Sequence, residues 1–199
     1  MTLISLVRHG QTDWNLAKRI QGSSDIPLNA TGRAQAEATG RALAGGSFDA
    51  IYASPLSRAL DTARIIAGHV GLGEPRVLDA VAERRYGDAE GLTGAEILER
   101  WPEDEPVPGR ESRDDVVARA LPALLELGER HVGEHVIVVS HGGVIGSIAR
   151  HVTGHARPGP GEIIPNGSVH RFRYRDGALA LDRFNLGPED HDLLTASVL

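Results

Sequence analysis

Three apolar runs in this 199-residue chain are each followed at once by residues suited to gripping an anion. After Leu3-Ile4-Ser5-Leu6-Val7 come Arg8-His9-Gly10. After Asp49 to Ala53 come Ser54-Pro55, with Arg58 close behind. After Val136-Ile137-Val138-Val139 come Ser140-His141-Gly142-Gly143. In open α/β sheets ligands bind outside the carboxyl ends of the strands, so two imidazoles and two guanidinium groups are expected along one edge of a sheet. Strand-to-helix turns add free backbone N–H groups and a positive helix end. Fixed positive charge, backbone donors and imidazoles that take either protonation state together suit phosphate. Any one of these residues alone is more often a structural histidine or a surface arginine. Their shared position after strands is what points to a site.

The elements that must position them alternate in type. Leu3–Val7 reads as a strand, and 31–44 as an alanine-rich helix capped by Thr31. Asp49–Ala53 reads as a second strand, and Ser54-Pro55 as a cap and first helical residue opening a helix to about Val70. Arg76-Val77-Leu78 makes a third strand. Residues 112–130 have helical period, with Pro122 implying a kink or a break into two helices. Val136–Val139 is wholly apolar and β-branched, as in a central strand covered on both faces. A helix from about Gly143 to Val152 follows. Ser168–Arg175 and Ala178–Phe184 flank Asp176-Gly177, a hairpin signal. The expectation is one domain over residues 1–199, a three-layer α/β/α sandwich with a largely parallel central sheet. Trp101 to Arg110 reads as a surface loop.

Composition narrows the chemistry. Hydrophobic residues make up 41% and charged residues 24%, as in ordinary globular proteins. The chain has no cysteine, which excludes disulfides, cysteine-based metal centres and cysteine nucleophiles. Its net charge of −6 gives no electrostatic footprint for nucleic acid or an anionic membrane. Lys18 is the single lysine among 21 basic residues, a ratio that codon bias explains as well as function does. No run suggests a signal segment or a membrane span, and a cytoplasmic location is expected. The sequence assigns no oligomeric state. His131/His135 and His151/His155 have i, i+4 spacing, but Gly133 interrupts the first pair and no third ligand accompanies either, so surface histidines are expected. Gly142-Gly143-x-x-Gly146 lacks the order of a dinucleotide fingerprint. No nucleophile elbow or Walker motif occurs.

The order of the motifs carries a more specific resemblance. Leu6-Val7-Arg8-His9-Gly10-Gln11-Thr12-Asp13-Trp14-Asn15 resembles the Arg-His-Gly signature of the histidine phosphatase superfamily, the cofactor-dependent phosphoglycerate mutase-like group. Asp25-Ile26-Pro27-Leu28 with Thr31-Gly32, then Ser54-Pro55-Leu56-Ser57-Arg58-Ala59 with Thr62-Ala63, are similar to its next two motifs. Glu83 with Tyr86-Gly87 and Glu90-Gly91 resembles the acidic motif, and Ser140-His141-Gly142-Gly143 the second histidine motif. Asn166-Gly167-Ser168 is a weaker late match.

The resemblance implies His9 as the nucleophile, with Arg8, Arg58 and His141 binding the phosphoryl oxygens. It implies Asn15 and the Gly142 N–H as further donors, and Gln21 and Gly22 near the transferring group or substrate. Among Asp79, Glu83, Asp88 and Glu90, only Glu83 has the family's spacing to Tyr86-Gly87, which makes it the expected general acid. No metal or other cofactor is expected, and the partner is a small phosphomonoester. Arg19-Ile20-Gln21-Gly22 looks like the phosphatase branch, whereas Glu83-Arg84-Arg85-Tyr86-Gly87 resembles the mutases. The mutases' basic insertion is missing, and the acidic stretch Trp101-Pro102-Glu103-Asp104-Glu105-Pro106 stands instead. Pro108-Gly109-Arg110-Glu111-Ser112 has an arginine where phosphatases usually carry glycine, so Arg110 is expected to face the substrate. The expected activity is phosphomonoester hydrolysis through a phosphohistidine. Phosphoglycerate mutase-type transfer is the alternative, and non-catalytic binding of a phosphorylated ligand a remote third.

Overall fold

A computed structural model of the chain describes residues 1–102 and 105–195. Its strands are β1 (Thr2–Arg8), β2 (Ala50–Ala53), β3 (Arg76–Val77), β4 (His135–Ser140), β5 (Val169–Arg175) and β6 (Ala178–Leu186). Its α-helices are α1 (Asp13–Leu16), α2 (Ala30–Leu43), α3 (Ser57–Val70), α4 (Gly94–Arg100), α5 (Arg113–Arg130), α6 (Gly142–Val152) and α7 (His191–Thr195). The six strands form one sheet in the order β3-β2-β4-β1-β5-β6. β3, β2, β4 and β1 are mutually parallel, and the hairpin β5-β6 adds antiparallel to β1.

The central strands are apolar on both faces because helices cover both. On β4, Val136 and Val138 join the core under α5 and α6, while Ile137 and Val139 join the core under α2 and α3. On β1, Ile4 and Leu6 face the first core and Val7 the second. This is the two-residue alternation of a strand between two helical layers. Each such side chain contributes on the order of 2 kcal/mol on burial, an upper bound for a compact denatured chain. Mixed α/β layering with a mostly parallel sheet therefore matches the sequence expectation.

Four local expectations differ. Asn29, not Thr31, caps α2, its side chain accepting from Gly32 N at 2.8 Å. Ser54 does not cap α3, which begins at Ser57; the Ser57 N–H and hydroxyl instead both donate to Asp25 Oδ1 at 2.8 Å. Pro122 lies inside α5 without dividing it. Buried Val116 and Ala120 before it and Leu124 and Leu127 after it pin both halves to the same layer, which outweighs one lost hydrogen bond. His131 is buried rather than superficial, bonded to the Tyr52 hydroxyl at 2.9 Å and to Glu134. The short helices α1 and α4 were not anticipated, although Thr12-x-x-Asn15 and Thr93-x-x-Glu96 close capping boxes at their starts. Residues Glu103 and Asp104 of the acidic stretch lie outside the described residues.

His170 on β5 sits between Ser168 Oγ, which is 3.0 Å from Nε2, and the Asn185 N–H, which donates to Nδ1 at 3.2 Å. Burial, then Arg8, pushes its pKa down to about 3. Burial and Arg171, partly offset by Asp49, bring His135 to about 4. Both rings ionise more readily in the unfolded chain, near 6.5. The stability they add is therefore complete above that value and is lost as pH falls through it towards 4 and then 3. The thermal midpoint, followed by circular dichroism, is expected to drop progressively below pH 6.5. A His170→Gln variant is expected to show a shallower pH slope.

Candidate active site

The β1–β4 register brings the chemistry together. Arg8 pairs with Ser140, and the His9 N–H donates to the Ser140 carbonyl at 3.0 Å, so His9 and His141 leave the sheet side by side. Their ring centroids stand 5.1 Å apart. Ala53 pairs with Val139 on the other flank, which sets Ser54 against the same edge. The close approach of the β1 turn to α2 requires glycine on both sides: a Cβ at Gly10 would stand 2.2 Å from the Gly32 carbonyl oxygen, and one at Gly32 2.0 Å from that of Gln11. The Gly10 N–H donates to Thr62 Oγ1 on α3 at 3.1 Å. Above this edge opens a cavity of about 370 Å³ lined in part by Arg8, His9, Arg58 and Glu83, within the range of small-molecule sites.

His9 Nδ1 lies 2.7 Å from the Gly10 carbonyl oxygen. A carbonyl only accepts, so Nδ1 carries the proton and Nε2 carries the free lone pair. Burial first, then the charges of Arg8 and Arg58, hold the ring pKa well below the ordinary value. Asn166 Nδ2 donates to the His9 carbonyl at 3.0 Å and steadies the backbone. Arg58 is fully buried, donating to Ser24 O and Gly22 O at 2.8 Å each, while Arg8 donates to Ile164 O. Both guanidinium Nε atoms are buried without a partner, and so is His141 Nδ1. His141 lies beneath the cavity wall rather than on it, with Nε2 2.7 Å from Ser54 Oγ. Burial, then Arg58, keeps it uncharged. The Ser54 hydroxyl accepts from the Leu56 N–H at 3.3 Å, which leaves its own proton to donate to His141 Nε2 and makes Nδ1 the donor of the ring. Three unmet donors in one place are what an anion's oxygens satisfy.

Glu83 faces this cavity. Its carboxylate accepts from the Arg84 N–H at 2.8 Å and the Gly143 N–H at 3.2 Å. Burial still raises its pKa against those bonds and against Arg58 and Arg8, which favours the protonated form. Its competitors stand elsewhere. Glu90 accepts from Ser23, Ser24 and the Tyr86 N–H; burial opposes its ionisation, but these bonds outweigh it and lower the pKa. Neither Asp79 nor Asp88 lines the cavity. The Glu83 loop is clamped to α5 by a pair of buried Glu111 and half-buried Arg119 that the sequence reading missed. Arg119 holds Glu111 at 2.7 Å and donates to Ala80 O and Glu83 O, while Glu111 accepts from Arg85 N.

Asn15, Gln21, Gly22 and Gly142 line the cavity. Asn15 Oδ1 is occupied by Thr12 and Asn166, and Gln21 Oε1 by Thr12. Their NH₂ groups are thus left for a ligand. Arg110 does not line it. Its guanidinium stacks 5.5 Å from the Tyr86 ring centroid and faces the adjoining groove with Trp101 and Leu98. Tyr86 of the acidic motif lies on the cavity wall, and so do Arg113 and the apolar pair Ile163 and Ile164, which no motif marked. Among the described residues no group of three or more His, Cys, Asp or Glu stands together as a metal site.

Sequence comparison agrees with this geometry: residues 4–187 match the model of the histidine phosphatase superfamily, branch 1. The chain belongs to that superfamily. An uncharacterized phosphatase of Bacillus subtilis, PhoE, is 41% identical over 155 residues, covering 77% of this chain and 79% of that protein. A metal-independent phosphoserine phosphatase of Arabidopsis thaliana is 36% identical over 197 residues, covering 93% and 82%. Further matches carry the name 2,3-bisphosphoglycerate-dependent phosphoglycerate mutase. The solved structure of a mycobacterial glucosyl-3-phosphoglycerate phosphatase superposes with a TM-score of 0.81 at 30% identity, covering 92% of this chain and 98% of that one. This histidine phosphatase is accordingly a phosphomonoesterase of the hydrolase class.

A Cβ at Gly143 would stand 2.5 Å from Glu83 Oε1 and 3.1 Å from Arg84 Cβ. Gly143→Ala is therefore expected to displace the carboxyl group and lower kcat on alkyl phosphates about 10- to 100-fold. Steady-state kinetics beside a melting curve checks this, the thermal midpoint moving little.

Proposed function

We propose that this phosphatase works without a metal through a phosphohistidine on His9 and acts on small phosphorylated metabolites such as sugar phosphates or phosphoglycerate derivatives. The observation that carries the reading is the Nδ1–H bond from His9 to the Gly10 carbonyl, which leaves Nε2 unprotonated beside Arg8, Arg58 and His141. Nε2 attacks phosphorus as the phosphorus–oxygen ester bond breaks, and the Glu83 carboxyl group gives its proton to the departing alkoxide. The product alcohol leaves, and His9 holds the phosphoryl group on Nε2. Its Nδ1–H stays on the Gly10 carbonyl, which stabilises the charge the ring gains. Ionised Glu83 then takes a proton from water, the water oxygen attacks phosphorus, and the phosphorus–nitrogen electrons return to Nε2. Inorganic phosphate leaves and both residues regain their starting states.

Charge spreading over the phosphoryl oxygens is met by the unpartnered guanidinium and imidazole donors, which perform the neutralisation a metal ion gives elsewhere. Water is favoured as acceptor over a second hydroxyl of the substrate. Beyond the phosphoryl site the wall carries Ile163, Ile164 and Glu162, and Arg19 is engaged by Glu96, which leaves Arg113 as the single unengaged cation among the described lining residues there, where retention of a doubly phosphorylated intermediate calls for several. The net charge of −6 fits a small phosphomonoester rather than nucleic acid or a membrane surface.

With p-nitrophenyl phosphate in excess EDTA, wild type is expected to release phosphate and His9→Ala to release none. Glu83→Gln is expected to lose about 100-fold more on alkyl phosphates than on p-nitrophenyl phosphate, whose leaving group scarcely needs a proton. Equal losses on both substrates send the acid role to another group.

A further inference from the structure

We infer that Arg113 binds a carboxylate on the substrate, about one helical turn from the phosphoryl site. This rests on the phosphatase reading above and narrows its substrate class to short phosphorylated carboxylic acids.

The argument starts on helix α6, whose cavity-facing side is bare. Gly142, Gly143 and Gly146 lie along it, and each gives room to one ionic group. A Cβ at Gly142 would stand 3.4 Å from Arg8 Nε, one at Gly143 2.5 Å from Glu83 Oε1, and one at Gly146 3.8 Å from Arg113 Nη1. Positions 142 and 146 share a face and are separated by about 6 Å along the axis. The reacting groups therefore occupy the first turn and the Arg113 guanidinium the next, against one continuous surface. A three-carbon skeleton bearing a phosphate at one end and a carboxylate at the other spans a similar distance, about 5 Å at ordinary bond lengths.

Arg113 is also distinguished by what it does not do. The other cavity arginines are engaged: Arg8 with Ile164 O, Arg58 with Ser24 O and Gly22 O, Arg19 with Gly91 O and Glu96. Arg113 makes no hydrogen bond or ion pair among the described residues. Two nearby carboxylates are taken. Asp115 closes the Ser112 capping box, and Glu162 is held by Arg157 and the Gly159 N–H. Arg113 is the first residue of α5, where a cation opposes the helix dipole instead of complementing it. Helix stability therefore does not account for it. An open guanidinium fork at the cavity wall is matched by a carboxylate, which accepts two parallel N–H bonds.

The test compares 3-phosphoglycerate with glycerol 3-phosphate, which share a skeleton and a primary alkoxide leaving group and differ in the carboxylate. Wild type is expected to favour 3-phosphoglycerate in kcat/KM by about tenfold or more, chiefly through KM. Arg113→Met is expected to reduce that ratio to near one, and Arg113→Lys to restore part of it. Because the ratio is taken within one protein preparation, a general loss of folded enzyme cancels. A wild-type ratio near one, or a ratio that Arg113→Met leaves intact, overturns the inference while hydrolysis of both esters upholds the phosphatase reading. Failure of wild type to hydrolyse either ester or p-nitrophenyl phosphate overturns both.

Discussion

Positive charge is kept next to an uncharged imidazole, and the rest of the site depends on that arrangement. Burying a guanidinium costs solvation, and a neighbouring carboxylate is the usual remedy. Here the remedy is backbone carbonyl oxygen. Gly22, Ser24 and Ile164 accept from Arg58 and Arg8, which satisfies donors without cancelling charge. Burial first, and then the two guanidinium groups, suppress protonation of His9, and the guanidinium Nε donors are left unmet. A carboxylate in contact would have done the reverse, drawing a proton onto His9 and repelling a phosphate.

The fold supplies this arrangement by register and by close approach. Parallel pairing of β1 with β4 sets His9 and His141 at adjacent positions although they are 132 positions apart in the chain. Gly10 against Gly32 lets the β1 turn touch the start of α2, and Gly143 lets Glu83 touch the start of α6. Glu83 itself comes from a loop, where precision has to be imposed from outside. The Glu111–Arg119 pair imposes it by tying that loop to α5, and the Ser140 hydroxyl adds a bond to Val81 O at 2.8 Å.

Much of this was legible in the sequence because strands and the residues that follow them are written contiguously. Arg8-His9, Ser54 to Arg58 and Ser140-His141 could be placed on one edge without knowing any contact. The helix starts were less legible, because Asn29 competed with Thr31 for one cap and Asp25, 32 residues away, supplied the acceptor at Ser57. Pro122 misled because local propensity speaks only of the lost bond and not of the burial on either side. Arg110 and Arg113, three residues apart, went opposite ways: one stacks on Tyr86 outside the cavity and the other lines it. Only the path of the chain into α5 decides that, and nothing in the motif records it. The Asn166 bond to the His9 carbonyl spans 157 residues and was visible only as a weak late match.

The central claim is that the Gly10 carbonyl fixes the His9 tautomer and so selects the reacting nitrogen. The most direct measurement is ³¹P NMR and mass spectrometric peptide mapping of the phosphoenzyme, quenched in alkali from a slowly turned-over phosphomonoester in EDTA. The account predicts one phosphoryl group on His9, bonded to Nε2. Phosphate on Nδ1, on another residue, or on none in an enzyme that still turns over would contradict it.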